Sequence, residues 1–259
     1  MRFLVTFAVT SEFAIWRSRH PFVPYELDDL GQRRDFDLFK ANIGAHEVSV
    51  LLTGMGGPNA KRAMNTVLPK MYDICISTGL AGALQDQWGL GDVVVARTVK
   101  TLDDAIRSES DPYLVDVAVQ SGAAAVNVFL SSDTIVAEVT EKQELSASGG
   151  VVEMESAHVL AVAAGKNVPA VAVRAISDAA DEDLPLDFRL IADSRGHVRV
   201  GGLLKELALH PHQLVPLVRF GRQSRAAARS LANFLDRYIP AIASRWYGLK
   251  PFAAGVSAT

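Results

Sequence analysis

Short apolar segments alternate with segments of helical periodicity along most of this chain, and this alternation restricts the possible folds more than any other feature. The apolar segments predict strands at 3–9, 48–52, 74–77, 93–96, 151–153 and 170–174. The periodic segments predict helices at 57–68, 112–121, 155–164 and 224–238. Because parallel strands need long crossover connections, usually helices, the order predicts an α/β fold. We expect a mostly parallel or mixed twisted sheet with helices on both faces.

Size and charge favour one globular domain with a small ligand. The chain has 259 residues, of which 49% are hydrophobic and 21% charged, and its net charge is −3. We interpret residues 1–259 as a single domain with a core at about 1–183 and a helical C-terminal extension at about 200–240. Near-neutral charge argues against nucleic acid as the main partner, since backbone binding needs a basic surface.

The chain carries no sequence signal for export or membrane insertion. Its first ten residues contain too short an apolar run for a signal peptide, and no segment has the length needed to span a bilayer. The single cysteine, Cys75, cannot form an intramolecular disulfide, which is typical of a reducing compartment. His210 and His212 lack partners at metal-binding spacing. We therefore expect a cytoplasmic protein without a metal.

Three glycine-bearing loops follow predicted strands, at 53–57, 78–82 and 89–92. Glycine permits a close approach of backbone to a ligand, although tight turns alone would also explain each loop. The first loop could be a dinucleotide-binding turn that ends at Ala60. Such turns need an acidic residue at the end of the following strand, and Asp73 lies at the start of its strand. We therefore favour a protein without a cofactor.

Two predicted strands lead into polar residues. The segment 151–157 reads Val-Val-Glu-Met-Glu-Ser-Ala, and the segment 171–178 reads Val-Ala-Val-Arg-Ala-Ile-Ser-Asp. We expect Glu155, Arg174 and Asp178 to meet at the ligand edge of the sheet. Charged groups brought together there are costly unless something polar occupies the site. The sequence therefore predicts a functional site formed by these residues.

Residues 153–155 and 174–178 resemble the two signature segments of the nucleoside phosphorylase superfamily, especially its methylthioadenosine/S-adenosylhomocysteine nucleosidases. The loops at 53–57, 78–82 and 91–95 also follow the family's order, and the resemblance covers roughly residues 1–183. It implies the family fold and cleavage of the N-glycosidic bond of a purine, adenosine-type nucleoside. The tail is loosely similar to the hopanoid-associated branch, which leaves the 5′ substituent open.

The resemblance also implies roles for individual residues. Asp178 would protonate the leaving base, and Ser177 would orient its carboxyl group. Glu155 would accept hydrogen bonds from the ribose hydroxyls, with Met154 packed against the sugar. Glu12, after the first strand, would hold or activate the attacking water. These carboxylates would also stabilise the oxocarbenium-like transition state.

Each carboxylate has a simpler alternative explanation. Glu12 could be a residue at a helix start that interacts with the helix dipole, and Asp178 could be an ordinary helix cap. Glu153 points away from Glu155 on an extended chain, and we interpret it as structural. A non-catalytic nucleoside-binding protein on the same fold is a further alternative, which loss of the acid or of Glu155 would indicate.

Hydrolysis is favoured over phosphorolysis. In the purine phosphorylases that the chain resembles, an Arg and a Ser beside the second glycine loop bind phosphate, whereas residues 77–80 here read Ser-Thr-Gly-Leu. Arg174 and Thr78, with the loop glycines Gly54 and Gly79, remain as contacts for substrate or phosphate. The resemblance further implies a homodimer or larger homo-oligomer, because neighbouring subunits often complete these pockets.

Overall fold

The computed structural model describes residues 1–25, 36–68, 72–185 and 214–249. In chain order the elements are β1 (Arg2–Phe7), α1 (Thr10–Arg17), β2 (Val23–Pro24), β3 (Asp37–Ile43), β4 (His46–Leu52), α2 (Gly57–Val67), β5 (Ile74–Ser77), β6 (Leu80–Ala83), β7 (Val93–Thr101), β8 (Arg107–Glu109), α3 (Pro112–Gln120), β9 (Ala124–Ser131), α4 (Val139–Leu145), β10 (Val151–Glu153), α5 (Ser156–Gly165), β11 (Ala170–Asp178) and α6 (Leu214–Leu249). The predicted α/β fold is confirmed.

The sheet is mixed, and part of it closes into a ring. Its strand order is β2-β3-β4-β1-β5-β11-β6-β10-β9-β7-β8, and an additional antiparallel pairing joins β11 to β7. β11 pairs with β5 through residues 170–172 and with β6 through residues 175–178. This long strand therefore connects the open half of the sheet to the ring β11-β6-β10-β9-β7.

The ends of β10 and β11 do meet, but not for the reason that we expected from the sequence. β6 runs parallel to β11 but antiparallel to β10, so β10 and β11 point in opposite directions. They are therefore not parallel neighbours with a common carboxyl edge. β6 lies between them, and Val152 of β10 and Asp178 of β11 both pair with Gly82, which brings these parts of the two strands to one cavity.

Helices cover both faces of the sheet, as predicted. Side chains alternate along β1, where Phe3 and Phe7 pack into one hydrophobic core and Leu4 packs into another. The first core includes residues of α1, α3 and α6, and the second includes residues of α2 and α5. All of these β1 side chains are buried.

The long helix α6 returns to the sheet and packs against β11, α1 and α3. Tyr238 donates a hydrogen bond to the carbonyl of Leu114 in α3 at 2.7 Å. Trp16 in α1 donates to Asp236 at 2.8 Å. These buried contacts fix α6, whose first turns lie beside the cavity described below. Residues 200–213 of the predicted extension lie outside the described residues, and 214–240 belong to this one helix.

None of the helices in the described ranges combines the length and the apolar character that a bilayer crossing requires. Residues 179–185 contain neither helix nor strand.

Candidate active site

A cavity of about 300 Å³ lies where β1, β10 and β11 end, opposite the first turns of α6. It is lined by Ala8, Val9, Ser11, Glu12, Met55, Leu80, Ala81, Gly82, Thr134, Ile135, Val136, Val152, Glu153, Met154, Glu155, Ser177, Asp178, Leu184, Phe220 and Ser224. Five of the residues predicted from the sequence are in this lining: Glu12, Met154, Glu155, Ser177 and Asp178.

Asp178 is the last residue of β11 and is almost fully buried. Ser177 donates a hydrogen bond from Oγ to Oδ1 of Asp178 at 2.8 Å. Oδ2 forms an ion pair with Lys142 at 2.7 Å. Because residues 179–185 form no helix, Asp178 is not a helix cap. Gly82 is required beside it, since a Cβ there would lie 2.7 Å from Oδ2.

Glu12 occupies the first turn of α1 and joins two loops. Its Oε2 accepts hydrogen bonds from the backbone N–H groups of Ala8 and Val9, and its Oε1 accepts one from Leu80 at 2.9 Å. Gly79 has a φ of 148°, and a Cβ there would lie 2.9 Å from Oε1. Glu12 therefore binds the backbone just before α1 and also faces the cavity. Burial raises the pKa of Glu12, although the three N–H groups oppose this change.

Glu155 immediately precedes α5 and reaches the loop before α2. Its Oε1 accepts a hydrogen bond from the backbone N–H of Gly56 at 2.8 Å, and its Oε2 lies 3.7 Å from Nη2 of Arg174. Burial and the charge of Glu153 together raise the pKa of Glu155 to about 8, although Arg174 opposes both effects. In a dinucleotide-binding turn, the N–H of Gly56 would bind the pyrophosphate of the cofactor. Here it donates to the carboxylate of Glu155 instead.

Arg174 lies behind the cavity, paired with Glu153. The two side chains form an ion pair, and both are buried. Glu153 also accepts hydrogen bonds from the backbone N–H groups of Glu155 and Ser156, so it caps α5. Burial alone would raise the pKa of Glu153, but Arg174, Ser131 and these N–H groups together lower it. Glu153 also lines the cavity and shares Nη2 of Arg174 with Glu155, so the expectation that it points away from Glu155 is wrong.

The remaining predicted ligand residues do not line the cavity. Arg174 is absent from its wall, as are Gly54, Thr78 and Gly79. Gly54 and Thr78 donate backbone hydrogen bonds to Ala8 and Thr6, both at 3.0 Å, and so hold their loops against β1. The structure therefore gives these residues positions that support the site from behind.

Comparison of the sequence with models of protein families identifies the family of the chain. The description of the matching family model is Phosphorylase superfamily, and the match covers residues 12–208. The chain belongs to the phosphorylase superfamily. This confirms the family predicted from residues 153–155 and 174–178.

Relatives within the phosphorylase superfamily include bacterial nucleosidases. A 5′-methylthioadenosine/S-adenosylhomocysteine nucleosidase of Staphylococcus aureus is 30% identical over 166 residues, which cover 55% of this chain and 73% of that protein. The nucleosidase of Neisseria meningitidis, solved with methylthio-immucillin-A, has a TM-score of 0.69 at 20% identity and covers 92% of this chain and 98% of its own. Futalosine hydrolase of Helicobacter pylori has a TM-score of 0.66 at 18% identity, with coverages of 91% and 97%.

Several parts of this cavity could not be found from sequence. The apolar wall includes Ile135 and Val136, which follow β9, and Phe220 of α6. Lys142, the partner of Asp178, belongs to a polar seven-residue helix, Val-Thr-Glu-Lys-Gln-Glu-Leu, that reads as a solvated surface. Nothing in its local pattern signals burial.

Neither a metal nor a thiol is available at this site in the described parts of the chain. No group of three His, Cys, Asp or Glu side chains there could hold a metal ion. Cys75 is buried in the core between β5 and its neighbours, and burial raises its pKa to about 12. The thiol therefore stays protonated and unreactive at neutral pH.

Proposed function

We propose that this protein is a nucleosidase, which hydrolyses the N-glycosidic bond of an adenosine-type nucleoside. The observation that carries the proposal is the presence of Glu12, Glu155 and Asp178, together with Glu153, in the lining of one otherwise largely apolar cavity. Cleavage needs a proton for the base, stabilisation for a cationic sugar and a nucleophile. Three carboxylates can divide these tasks among them. The names of the relatives point to the same chemistry.

Departure of the base is assigned to Asp178. A purine anion is a poor leaving group, so Asp178 would carry a proton as a carboxylic acid in the substrate complex and transfer it to the ring as the bond breaks. The base then leaves neutral, and Asp178 is left as a carboxylate. Ser177 donates a hydrogen bond to Oδ1, which limits rotation of the carboxyl group. The burial of Asp178 excludes competing water from this contact. The purine therefore lies at the Asp178 end of the cavity in our proposal.

The sugar is assigned to Glu155 and Met154. A carboxylate accepts hydrogen bonds from neighbouring ribose hydroxyls and also attracts the positive charge that develops as the glycosidic bond lengthens. The Gly56 N–H fixes one oxygen of Glu155, which leaves the other for the sugar. Met154 provides an adaptable apolar contact for the opposite face of the ring.

The nucleophile is assigned to a water held by Glu12. Three backbone N–H groups fix its carboxylate, so a water bound to it would have a defined position. Such placement gives much of the advantage of an intramolecular reaction. A carboxylate can also accept a proton from the water as the new C–O bond forms.

Hydrolysis fits the charges of the cavity better than phosphorolysis. Arg174, the cation that the sequence left for phosphate, is paired with Glu153 and does not line the cavity. A phosphate dianion would enter beside Glu12 and Glu155 without a cation to offset its desolvation. Neutral water has no such cost.

We expect base release to proceed at full rate without phosphate. The assay follows adenine release from 5′-methylthioadenosine in phosphate-free buffer, then titrates phosphate and identifies the sugar by mass spectrometry. The expected product is the free 5-substituted ribose, and phosphate should leave the rate unchanged. Strict dependence on phosphate, with a sugar 1-phosphate as product, would establish a phosphorylase and leave the roles of Asp178 and Glu155 intact. Nucleoside binding without turnover in either buffer would indicate a binding protein.

The 5′ substituent is assigned to the apolar side of the cavity. Val9, Met55, Leu184 and Phe220 contribute apolar side chains there, and no charged residue of α6 is in the lining. We therefore propose a 5′-substituted nucleoside, and 5′-methylthioadenosine is the first substrate to test because the relatives are named for it. Nucleosides with larger apolar 5′ groups are the second class of substrate to test.

We also propose that the protein works in the cytoplasm as a homodimer or larger homo-oligomer. Val119, Val215 and Val218 are exposed apolar side chains on α3 and α6, and self-association would bury such surface. We expect light scattering at micromolar concentration to give at least twice the 27.9 kDa mass of the chain. A monomer with full activity would contradict this proposal.

A further inference from the structure

Lys142 is the most unusual charged residue in the described part of the chain that the proposed mechanism does not yet use. Its side chain has no exposed surface. Its Nζ donates hydrogen bonds to Oδ2 of Asp178 at 2.7 Å and to the carbonyl oxygens of Ala179 and Glu182, both at 2.8 Å. An ammonium group has three N–H donors, so all of them are used. Lysine is almost never fully buried unless it is paired, because desolvation of the charge is costly.

These contacts hold the carboxyl group of Asp178 from behind. Lys142 binds Oδ2, whereas Ser177 donates to Oδ1, so rotation of the carboxyl group would break a short hydrogen bond at either oxygen. Gly82 packs closely on the same Oδ2. The direction in which Asp178 presents its carboxyl group to the cavity is therefore set by Lys142 and Ser177 together.

Lys142 also connects Asp178 to the opposite wall of the cavity. The main chain of Glu182 accepts a hydrogen bond from Lys142, and its side chain binds Arg219 and Gln223 of α6, both at 3.2 Å. The same helix contributes Phe220 to the lining. One buried ammonium group thus holds the carboxyl group and the loop that contacts α6.

We propose that Lys142 is a positioning residue for Asp178, which fixes the carboxyl group in the orientation needed for proton transfer to the base. The inference rests on the proposed acid role of Asp178. Lys142 does not line the cavity, so it acts through Asp178 and not through contact with the substrate. Its loss should therefore affect the chemical step much more than binding.

The test is a double-mutant cycle on kcat and KM for base release, using Lys142→Met, Asp178→Asn and the double variant. Methionine approximates the length of lysine without its charge. We expect Lys142→Met to lower kcat by about 10- to 100-fold, since small misplacements of a catalytic group have effects of this size, and to leave KM nearly unchanged. In the Asp178→Asn background the same substitution should lower kcat no further, because no acid remains to be positioned.

Two more variants keep the test decisive if Lys142→Met folds poorly. Lys142→Arg retains the charge and should fold with a reduced kcat, because a guanidinium group is planar and larger than an ammonium group. Lys142→Ala should recover activity on addition of methylamine, which can occupy the vacated space. Lys40→Met is the matched control: Lys40 forms a surface ion pair with Glu47, and its loss should leave kcat unchanged.

Specific outcomes would overturn the inference. Folded Lys142→Met with the kcat of the wild type would do so, as would an equal loss of kcat with and without Asp178. A larger effect on KM than on kcat would assign Lys142 to substrate binding instead. Full activity of Asp178→Asn would remove the acid role itself, and the positioning role would fall with it.

Discussion

Replacement of Asp178 with asparagine is expected to lower kcat for base release by about 10²- to 10⁴-fold, the usual contribution of general acid catalysis. The amide nearly matches the carboxyl group in shape and can still accept the hydrogen bond from Ser177. It cannot transfer a proton to the departing base. Initial rates of adenine release at saturating 5′-methylthioadenosine measure the effect, and KM should change much less than kcat.

The ion pair with Lys142 requires a control for stability in this experiment. Asp178→Asn leaves a buried ammonium group without its carboxylate, and the loss of one partner of a buried pair costs roughly 3–5 kcal/mol. Rates must therefore be expressed per folded protein, with folding measured by circular dichroism. Asp104→Asn is the matched control, since Asp104 is exposed and does not line the cavity. A folded Asp178→Asn variant that turns over at nearly the wild-type rate would remove Asp178 from the acid role.

The secondary structure was predicted best where the chain is buried on both sides. The strands at 74–77 and 151–153 begin and end where the sequence placed them. Every side chain in these two strands is buried, so each appears in the sequence as an uninterrupted apolar or nearly apolar segment. The helices at 57–68 and 112–121 start at the predicted residues because proline marks their first turns.

Elements with one exposed face were missed or misjudged in length. Strands Asp37–Ile43 and Ala124–Ser131 mix exposed and buried positions without clean alternation, and helix α1 has only eight residues. Helix α6 begins ten residues before the predicted start at 224, and the side chains of Val215 and Val218 in this first part are exposed. Without a buried stripe, no helical periodicity appears in the sequence.

The polar residues of the site could be predicted, but their partners could not. Glu12, Glu155 and Asp178 stand out because carboxylates follow apolar strands. The sequence also offered Arg174 as a ligand, whereas the structure pairs it with Glu153 behind the cavity. Such pairings depend on which strands are neighbours, and ring closure of the sheet is not encoded in local periodicity. Lys142 was missed for the same reason.

Replacement of Glu155 with glutamine is the second substitution with a large expected effect. At pH 9, above the pKa of about 8 at which Glu155 ionises, we expect kcat to fall roughly 10²- to 10³-fold, because the amide lacks the charge that stabilises the sugar cation in the transition state. The amide oxygen of the glutamine can still accept the hydrogen bond from the Gly56 N–H, so the loop before α2 keeps its contact with residue 155. In the wild-type enzyme, 2′- and 3′-deoxynucleosides should be cleaved more slowly than ribonucleosides. Equal rates for deoxy and ribo substrates would contradict ribose recognition by Glu155.

The same substitution should stabilise the ligand-free protein at alkaline pH. The pKa of Glu155 is about 8 in the folded protein against 4.5 when unperturbed. Between these values the folded state retains a proton that the unfolded state releases, so stability falls as pH rises toward 8 and then levels off. Glutamine cannot ionise, so the variant does not lose stability from a negative charge buried beside Glu153.

Thermal unfolding of both proteins from pH 5 to pH 9 tests this linkage. The Tm of Glu155→Gln minus that of the wild type should grow between pH 5 and pH 8, by about 2–4 °C for each kcal/mol, and stay constant above pH 8. Glu153→Gln is the opposite control: the pKa of Glu153 is lowered, so its charge stabilises the fold above pH 4.5, and its loss strands the buried Arg174. That variant should have a lower Tm at neutral pH. A Tm difference for Glu155→Gln that does not change with pH would mean that Glu155 is already ionised at pH 5, and that the cavity holds its negative charge at no cost to stability.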